Sequence, residues 1–391
     1  MQAQGRSIVR PTALLLFALV ALPGHAQSIA EQLNSGRIDV LRSRVGDVQG
    51  VAALNTIVGR SDLNRDLPAL PRSALASPAG TQRVDGGSSW ILDAARDRRV
   101  VMFNENHYEP QARVFVQSLL PMLRQAGFTH IGFEAFQPSN EPDAYVPFNS
   151  YYTVEPIFSA LIREAKTLGF VVFGYEATRF ADQRAPIQEA IEAREQSEAE
   201  NLAAAINSLP ESARVVIFAG WSHIAEKPLE DGLGEAGTKW MAARFAETTH
   251  IDPLTVDLTS CAFEVTGPGH HDALVYVPSS EAALLPGSYV GAVDAHVCLP
   301  VAGKSYPNPA SFFRSTLGKQ VRVPRSLERR NAQVLVQAFE GSRAEKSVAY
   351  DRVLVRPGEQ LHLYLPPGSY ELMSTLEDGT LVGHTTLTVP K

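Results

Sequence analysis

The strongest constraint on this chain is a rhythm. Arg99-Val100-Val101-Met102-Phe103 is a short apolar run, followed by His130-Ile131-Gly132-Phe133, Phe170 to Tyr175, Val215 to Ala219, Leu254 to Leu258 and Ala273 to Val277. Between them, residues 110–125, 154–168, 186–208 and 236–248 carry apolar side chains at helical intervals. A strand covered by helices on both faces is apolar throughout and does not alternate. Short apolar runs separated by helical segments therefore predict βαβ units. The expected fold is α/β over residues 88–300, a mainly parallel sheet flanked by helices. The pattern does not give the strand order.

The flanks read differently. Residues 27–87 break short helical patches with Gly36, Gly46, Gly50 and Gly59, then carry Pro68, Pro71 and Pro78. This predicts an irregular N-terminal extension and linker. Residues 301–330, with Pro307, Pro309 and Pro324, read as a connector. Over 331–391, Val334-Leu335-Val336, Val353-Leu354-Val355 and Leu361 to Leu365 are strands, with turns at Pro366-Pro367-Gly368 and Asp378-Gly379. A small C-terminal antiparallel β-sandwich is expected there. It serves either to dock an envelope partner or simply to add stability.

Composition sets the compartment and excludes some partners. Arg6 and Arg10 precede an apolar stretch, Ala13 to Leu22, and then Pro23-Gly24-His25-Ala26. A basic start, a short apolar core and a small residue before the cut describe a secretory signal over 1–26. The stretch is shorter than the roughly 20 residues a membrane-spanning helix needs. No second such stretch follows, so no transmembrane segment is expected after signal removal, and the product is periplasmic or secreted. Among 391 residues, 42 acidic side chains outnumber 35 basic ones and no basic stripe occurs, which argues against nucleic acid as a partner. The two cysteines, Cys261 and Cys298, exclude a cysteine-rich scaffold but can pair in an oxidising compartment.

The polar residues that close the runs carry the functional reading. In open parallel sheets, sites form beyond the carboxyl ends of the strands. Four successive runs end in ionisable residues: Glu105 with His107, Glu134, Glu176, and His223. One such acid is ordinarily a helix cap or a solvated loop residue. Four on one rim would converge if their strands are neighbours. Crowded carboxylates repel, and a cation offsets the repulsion. Two imidazoles and carboxylates with open positions suit Zn, Mn or Fe, with Glu105, His107, Glu134 and His223 as ligands. Equally, a neutral His107 oriented by Glu134 or Glu176 could act as general base on water without metal. The sequence leaves both open. Arg194 and Glu195 read as a solvated helix face or as a clamp for an anionic intermediate. Asp294 and His296 read as structural. Tyr145, Tyr151 and Tyr152 follow the second run, as loop packing, an aromatic lid or an axial oxygen ligand.

Asn104-Glu105-Asn106-His107, the Glu134 closing Gly132-Phe133, and Gly220-Trp221-Ser222-His223 resemble motifs of the superfamily of Tiki/TraB proteins, ChaN-like haem-uptake proteins and erythromycin esterases. Trp240-Met241-Ala242 and the stretch Ile251 to Asp257 resemble the ChaN-like end of that domain. The resemblance covers residues 90–260. It implies an α/β sheet with Glu105, His107, Glu134 and His223 at the site. Members of the superfamily are metal-dependent proteases, lactone-opening esterases or haem binders. The first motif commonly opens with Gly, and the Asn104 side chain here is expected to crowd or line the pocket. Three readings follow. The first is an exported metal-dependent hydrolase of an ester or amide bond, acting on a small molecule or peptide, with Glu105, His107, Glu134 and Glu176 in the chemistry. The second is a haem- or ligand-binding protein using Tyr151 or Tyr152. The third is an envelope protein without chemistry.

Overall fold

A computed structural model of the chain describes residues 23–138, 152–182, 184–229, 237–267, 271–279, 288–306, 308–341 and 347–391. Residues 1–22 of the signal expected over 1–26 lie outside them, as do Tyr145 and Tyr151.

The rhythm of apolar runs becomes the centre of a mixed, mostly parallel sheet. Its strands are β1 (Thr81–Val84), β2 (Val100–Glu105), β3 (Phe128–Phe133), β4 (Val171–Gly174), β5 (Arg214–Gly220), β6 (Leu254–Asp257), β7 (Ala262–Val265), β8 (Leu274–Pro278) and β9 (Ala295–Ala302). Among the described residues the order is β1-β8-β9-β6-β2-β5-β3-β4, with β7 also paired to β9. The pairs among β6, β2, β5, β3 and β4 are all parallel, and among the described strands of this sheet β8 alone is reversed, antiparallel to both β1 and β9. The last expected strand is therefore present but antiparallel. β1, β7 and β9 are strands that the apolar pattern did not announce, because β1 and β7 carry charged residues and β9 contains Pro300 and His296.

Helices cover both faces. On one side α4 (Ser88–Ala95), α5 (Gln111–Gln125) and α6 (Pro156–Thr167) bury Ile91, Val116, Leu120, Leu161 and Ile162 against the strands. On the other, α7 (Ile187–Asn207) and α8 (Met241–Thr249) bury Leu202, Ile206, Met241 and Phe245. α6 starts where Glu155 accepts the backbone N–H groups of Ile157 and Phe158 at 2.9 and 2.7 Å, with Pro156 in the first turn.

Residues 27–87 are more ordered than a linker. They form α1 (Pro23–Asn34), α2 (Ile38–Arg44), α3 (Val48–Ile57) and, further on, β1. The frequent glycines hid these helices because each one is short; their stability comes from what they cover. That surface is the C-terminal sheet of β11 (Val334–Glu340), β12 (Asp351–Val355), β14 (Gly368–Thr375) and β15 (Leu381–Val389), in the order β12-β11-β14-β15 and antiparallel throughout. Leu335 and Leu354 on one face share a core with Ile29, Leu33, Ile38 and Leu54. Gln337 donates to the carbonyls of Leu33 and Asn34 at the end of α1. Val334, Val336 and Val353 on the other face share a core with Leu363 and Leu365 of the two-stranded sheet β10 (Lys319–Arg322) with β13 (His362–Leu365). The expected sandwich is thus a four-stranded sheet with a small second sheet on one face and the N-terminal helices on the other. The connector over 301–330 supplies β10 and the end of β9. No helix among the described residues is long and apolar enough to cross a membrane.

Cys261 and Cys298 form a disulfide that ties the start of β7 to β9 across 37 residues. Closing a loop of that size restricts the unfolded chain by about 4 kcal/mol. The Cys261→Ala/Cys298→Ala variant is expected to lose stability of that order in denaturant titration. Reductant should lower the midpoint of the wild type and leave the variant unmoved.

Candidate active site

β2, β5, β3 and β4 are consecutive neighbours, so the residues after their carboxyl ends must meet. Glu105 ends β2, Glu134 follows β3, Glu176 follows β4, and His223 lies in the 3-10 turn Trp221–Ile224 after β5. All four expected positions therefore share one rim. Gly220 shows how closely they approach. A Cβ on it would lie 2.5 and 2.7 Å from Cε1 and Nε2 of His107 and 3.2 Å from the Glu134 carboxylate.

The residues form two histidine–carboxylate pairs around Glu134. In the first, His107 Nδ1 lies 2.9 Å from Glu105 Oε1. Arg113 of α5 grips the same carboxylate through Nε and Nη2 at 2.5 and 2.8 Å and donates to the His107 carbonyl at 2.9 Å. Burial alone would raise the Glu105 pKa, but the Arg113 charge and the His107 bond bring it below its ordinary value. An ionised Glu105 accepts at Nδ1, so neutral His107 carries its lone pair on Nε2, the nitrogen turned toward Gly220.

In the second pair, His223 Nδ1 meets Glu195 Oε2 at 2.9 Å and Glu198 Oε2 at 3.1 Å. Nε2 lies 2.8 Å from Arg194 Nη1 and 3.4 Å from Glu134 Oε1. Glu195 also accepts the Met241 N–H, which anchors the start of α8. Burial alone would lower the His223 pKa, but the charges of Glu195, Glu198 and Glu134 hold it well above its ordinary value. With Nδ1 protonated toward Glu195, neutral His223 accepts from Arg194 at Nε2. A second proton on Nε2 excludes that Arg194 bond and leaves Glu134 Oε1, at 3.4 Å, as its acceptor.

Arg194 binds these groups together. Its Nη2 lies 2.5 Å from Glu134, 3.1 Å from Glu176 and 2.8 Å from Glu198. The Glu134 carboxylate also accepts the Gly220 N–H at 2.5 Å. Burial pulls Glu134 upward, yet the His223 and Arg194 charges hold it well below the usual carboxylate range. Glu176 goes the other way. Burial, reinforced by the charges of Glu198 and Glu134 and opposed by Arg194, pushes it up to about 8. Carboxyls whose surroundings drive their pKa values apart are suited to opposite acid–base roles.

The expected metal set is only partly assembled. Glu134, Glu198 and His223 place ligand atoms within 4.8 Å of one another and could hold a metal ion. Glu105 and His107 stand outside that group, and Glu105 is engaged with Arg113. Sequence reasoning missed Glu198, Arg113 and Glu155, and gave Arg194 only a secondary place. Tyr152 opens the 3-10 turn Tyr152–Val154. Asn104 does not crowd the pocket. Its amide turns away to the Trp221 carbonyl and Asp257.

No protein-family model matches the chain, and no curated protein matches it. Several solved structures are similar at low scores. The type III effector HopBA1 matches with a TM-score of 0.33 and 13% identity over 58% of this chain and 100% of that one. RRSP, a MARTX toxin effector domain from Vibrio vulnificus, matches with 0.33 and 13% over 44% of this chain. The C-terminal region of Pasteurella multocida toxin matches with 0.29 and 11% over 93% of this chain and 54% of that one. The match covers 36% of the RRSP chain and 36% of another bacterial toxin structure. Likeness of this degree says nothing about chemistry.

The raised Glu176 pKa makes a stability prediction. The folded protein keeps the Glu176 proton up to about pH 8, whereas an unfolded chain releases it near its ordinary value of 4.5. The folded state then binds more protons, and stability falls as pH rises through that window. Glu176→Gln imitates the neutral acid. It should flatten this part of the decline and be more stable than the wild type at pH 8 to 9, as read from urea midpoints across the pH range.

Proposed function

We propose that the protein is an exported hydrolase of an ester or amide bond in which His107 activates water. The observation behind this reading is the Glu105–His107 pair opening onto the same rim as Arg194 and His223. Glu105 fixes the proton on Nδ1, leaving Nε2 as the base. Water gives a proton to Nε2 while its oxygen attacks the carbonyl carbon. The ionised Glu134 beside Gly220 stabilises the imidazolium that forms. Arg194 and protonated His223 are the cations available to the developing oxyanion. The leaving oxygen or nitrogen takes a proton from His223 or from neutral Glu176. The products are an acid and an alcohol or amine, and the proton that His107 took from water passes through solvent to whichever of His223 and Glu176 gave one up, which restores the starting protonation. His107, Arg194 and Glu176 each keep 12 to 14% of their side-chain surface exposed. The export part of the proposal is supported by the Cys261–Cys298 bond and the N-terminal sequence.

A metal-dependent reading has one observation in its favour, the Glu134, Glu198 and His223 group. Its donor chemistry suits Zn or Mn, which would supply Lewis acidity when bound. However, Arg194 already donates to Glu134, pairs with Glu198 at 2.8 Å and lies against His223 Nε2, so the positive charge among these ligands is a guanidinium. The steps above are carried by the chain's own residues. The haem reading rests on Tyr151 and Tyr152, of which Tyr151 lies outside the described residues.

The test uses fluorogenic short-chain acyl esters and an internally quenched peptide library, with and without EDTA, alongside metal analysis by mass spectrometry. The expected result is turnover that persists in EDTA and falls about 10²- to 10⁴-fold in His107→Gln. Activity lost in EDTA and restored by Zn or Mn, with stoichiometric metal in the wild type but not in His223→Ala, would replace this mechanism with the metal-dependent one. No turnover, with a Soret shift on adding haem, would favour the ligand binder.

A further inference from the structure

Trp221 adopts a positive φ of 42°. A bulky residue there is crowded by its own Cβ, at a cost of order 1–3 kcal/mol, and persists only where its surroundings impose it. The position matters, because Trp221 stands between Gly220, whose N–H binds Glu134, and His223. Its carbonyl accepts from Asn104 Nδ2 at 2.8 Å. The second hydrogen of that amide goes to Asp257 Oδ1 at 2.9 Å, and Asn104 Oδ1 accepts the Leu258 N–H at 2.6 Å. Asp257 is itself fixed by the Thr259 N–H and hydroxyl at 2.9 and 2.7 Å, the Ser260 N–H at 3.2 Å, and His296 Nδ1 at 2.9 Å. Asn104, Asp257 and His296 are all fully buried. A glycine at position 104 would leave the Trp221 carbonyl and the Leu258 N–H without this partner in a dry interior, where an unmade hydrogen bond is costly.

We infer that Asn104, anchored on the Asp257–His296 pair, is a positioning residue: it clamps the Trp221 carbonyl in its left-handed turn and thereby sets where Gly220 and His223 meet Glu134. The rival cause is the Trp221 ring, which packs edge-on against Tyr108 at 5.9 Å. The inference takes Glu134 and His223 as site residues from the proposed function. Its readouts need no turnover, so failure of one is distinguishable from failure of the other.

The experiment is nitrogen-edited NMR at fixed pH on the full chain. It follows the His223 Nδ1–H bonded to Glu195 and the hydrogen exchange of the Gly220 amide. In Asn104→Ala the His223 signal should be lost and Gly220 exchange should quicken about tenfold or more. Trp221→Gly with Asn104 intact should keep both, because glycine adopts positive φ freely. Asn104→Ala/Trp221→Gly should regain both for the same reason. Should Asn104→Ala fail to fold, Asn104→Ser takes its place, with the same losses expected. Unchanged signals in the single Asn104 variant would overturn the inference. So would equal losses in Trp221→Gly, or a double variant that regains neither.

Discussion

A guanidinium buried among carboxylates is the interaction on which the site depends. Glu134, Glu198, Glu195 and Glu176 cannot share a dry pocket as anions without a cation, since charges in low dielectric repel strongly. Arg194 supplies that cation from α7, and Glu176 relieves the rest by keeping its proton. Breaking such a network by removing one partner leaves uncompensated buried charge, which is far costlier than loss of an exposed ion pair. α7 is thus tied to the ends of β3, β4 and β5 by electrostatics as well as by its apolar face. The convergence of the strand ends and the placement of α7 are one structural fact.

The central strands were legible because burial on both faces leaves an unmistakable mark, an apolar run with a polar stop. Val100 to Phe103, Val215 to Ala219 and their neighbours carry it, and so Glu105, His107, Glu134, Glu176 and His223 could be placed on one rim. The order β2-β5-β3-β4 decides that they meet, and order depends on long-range packing that no local pattern records. β9 was hidden for a related reason: it carries His296, a buried polar residue whose cost is offset by Asp257, a partner thirty-nine positions away. Asp294 and His296 do act structurally, through Thr255 and Asp257 respectively. The short N-terminal helices escaped notice because their stabilising surface, Leu335 and Leu354, lies at the other end of the chain.

The missed site residues share a signature that was present in the sequence. Arg113 is followed at three and seven residues by Val116 and Leu120, so it lies within the apolar stripe of α5. Glu198 and Glu195 precede Leu202 and Ile206 on the buried side of α7. A charge inside an apolar stripe is expensive unless it has a partner in the core. Reading Arg194 and Glu195 as either a solvated helix face or a clamp weighed charge density alone. Weighing which face the charges occupy would have separated Glu195 and Glu198, which are buried, from Glu192 and Glu200, which reach solvent.

The same accounting extends the site beyond the α/β domain. Arg113 bonds Glu105 on one side and Glu155 on the other, at 3.0 Å. Glu155 caps α6, and burial raises its pKa against the pull of Arg113 and of the helix N–H groups it accepts. The Arg352 charge, from β12 of the C-terminal sheet, also acts on Glu155. Burial pulls the Arg352 pKa down to about 10, and Glu155 and Asp351 oppose that pull. A buried series of alternating charge therefore runs from Arg352 through Glu155 and Arg113 to Glu105, the carboxylate bonded to His107. A separable docking module would place no charge in that series. The C-terminal sheet does, through the charge of Arg352 beside Glu155.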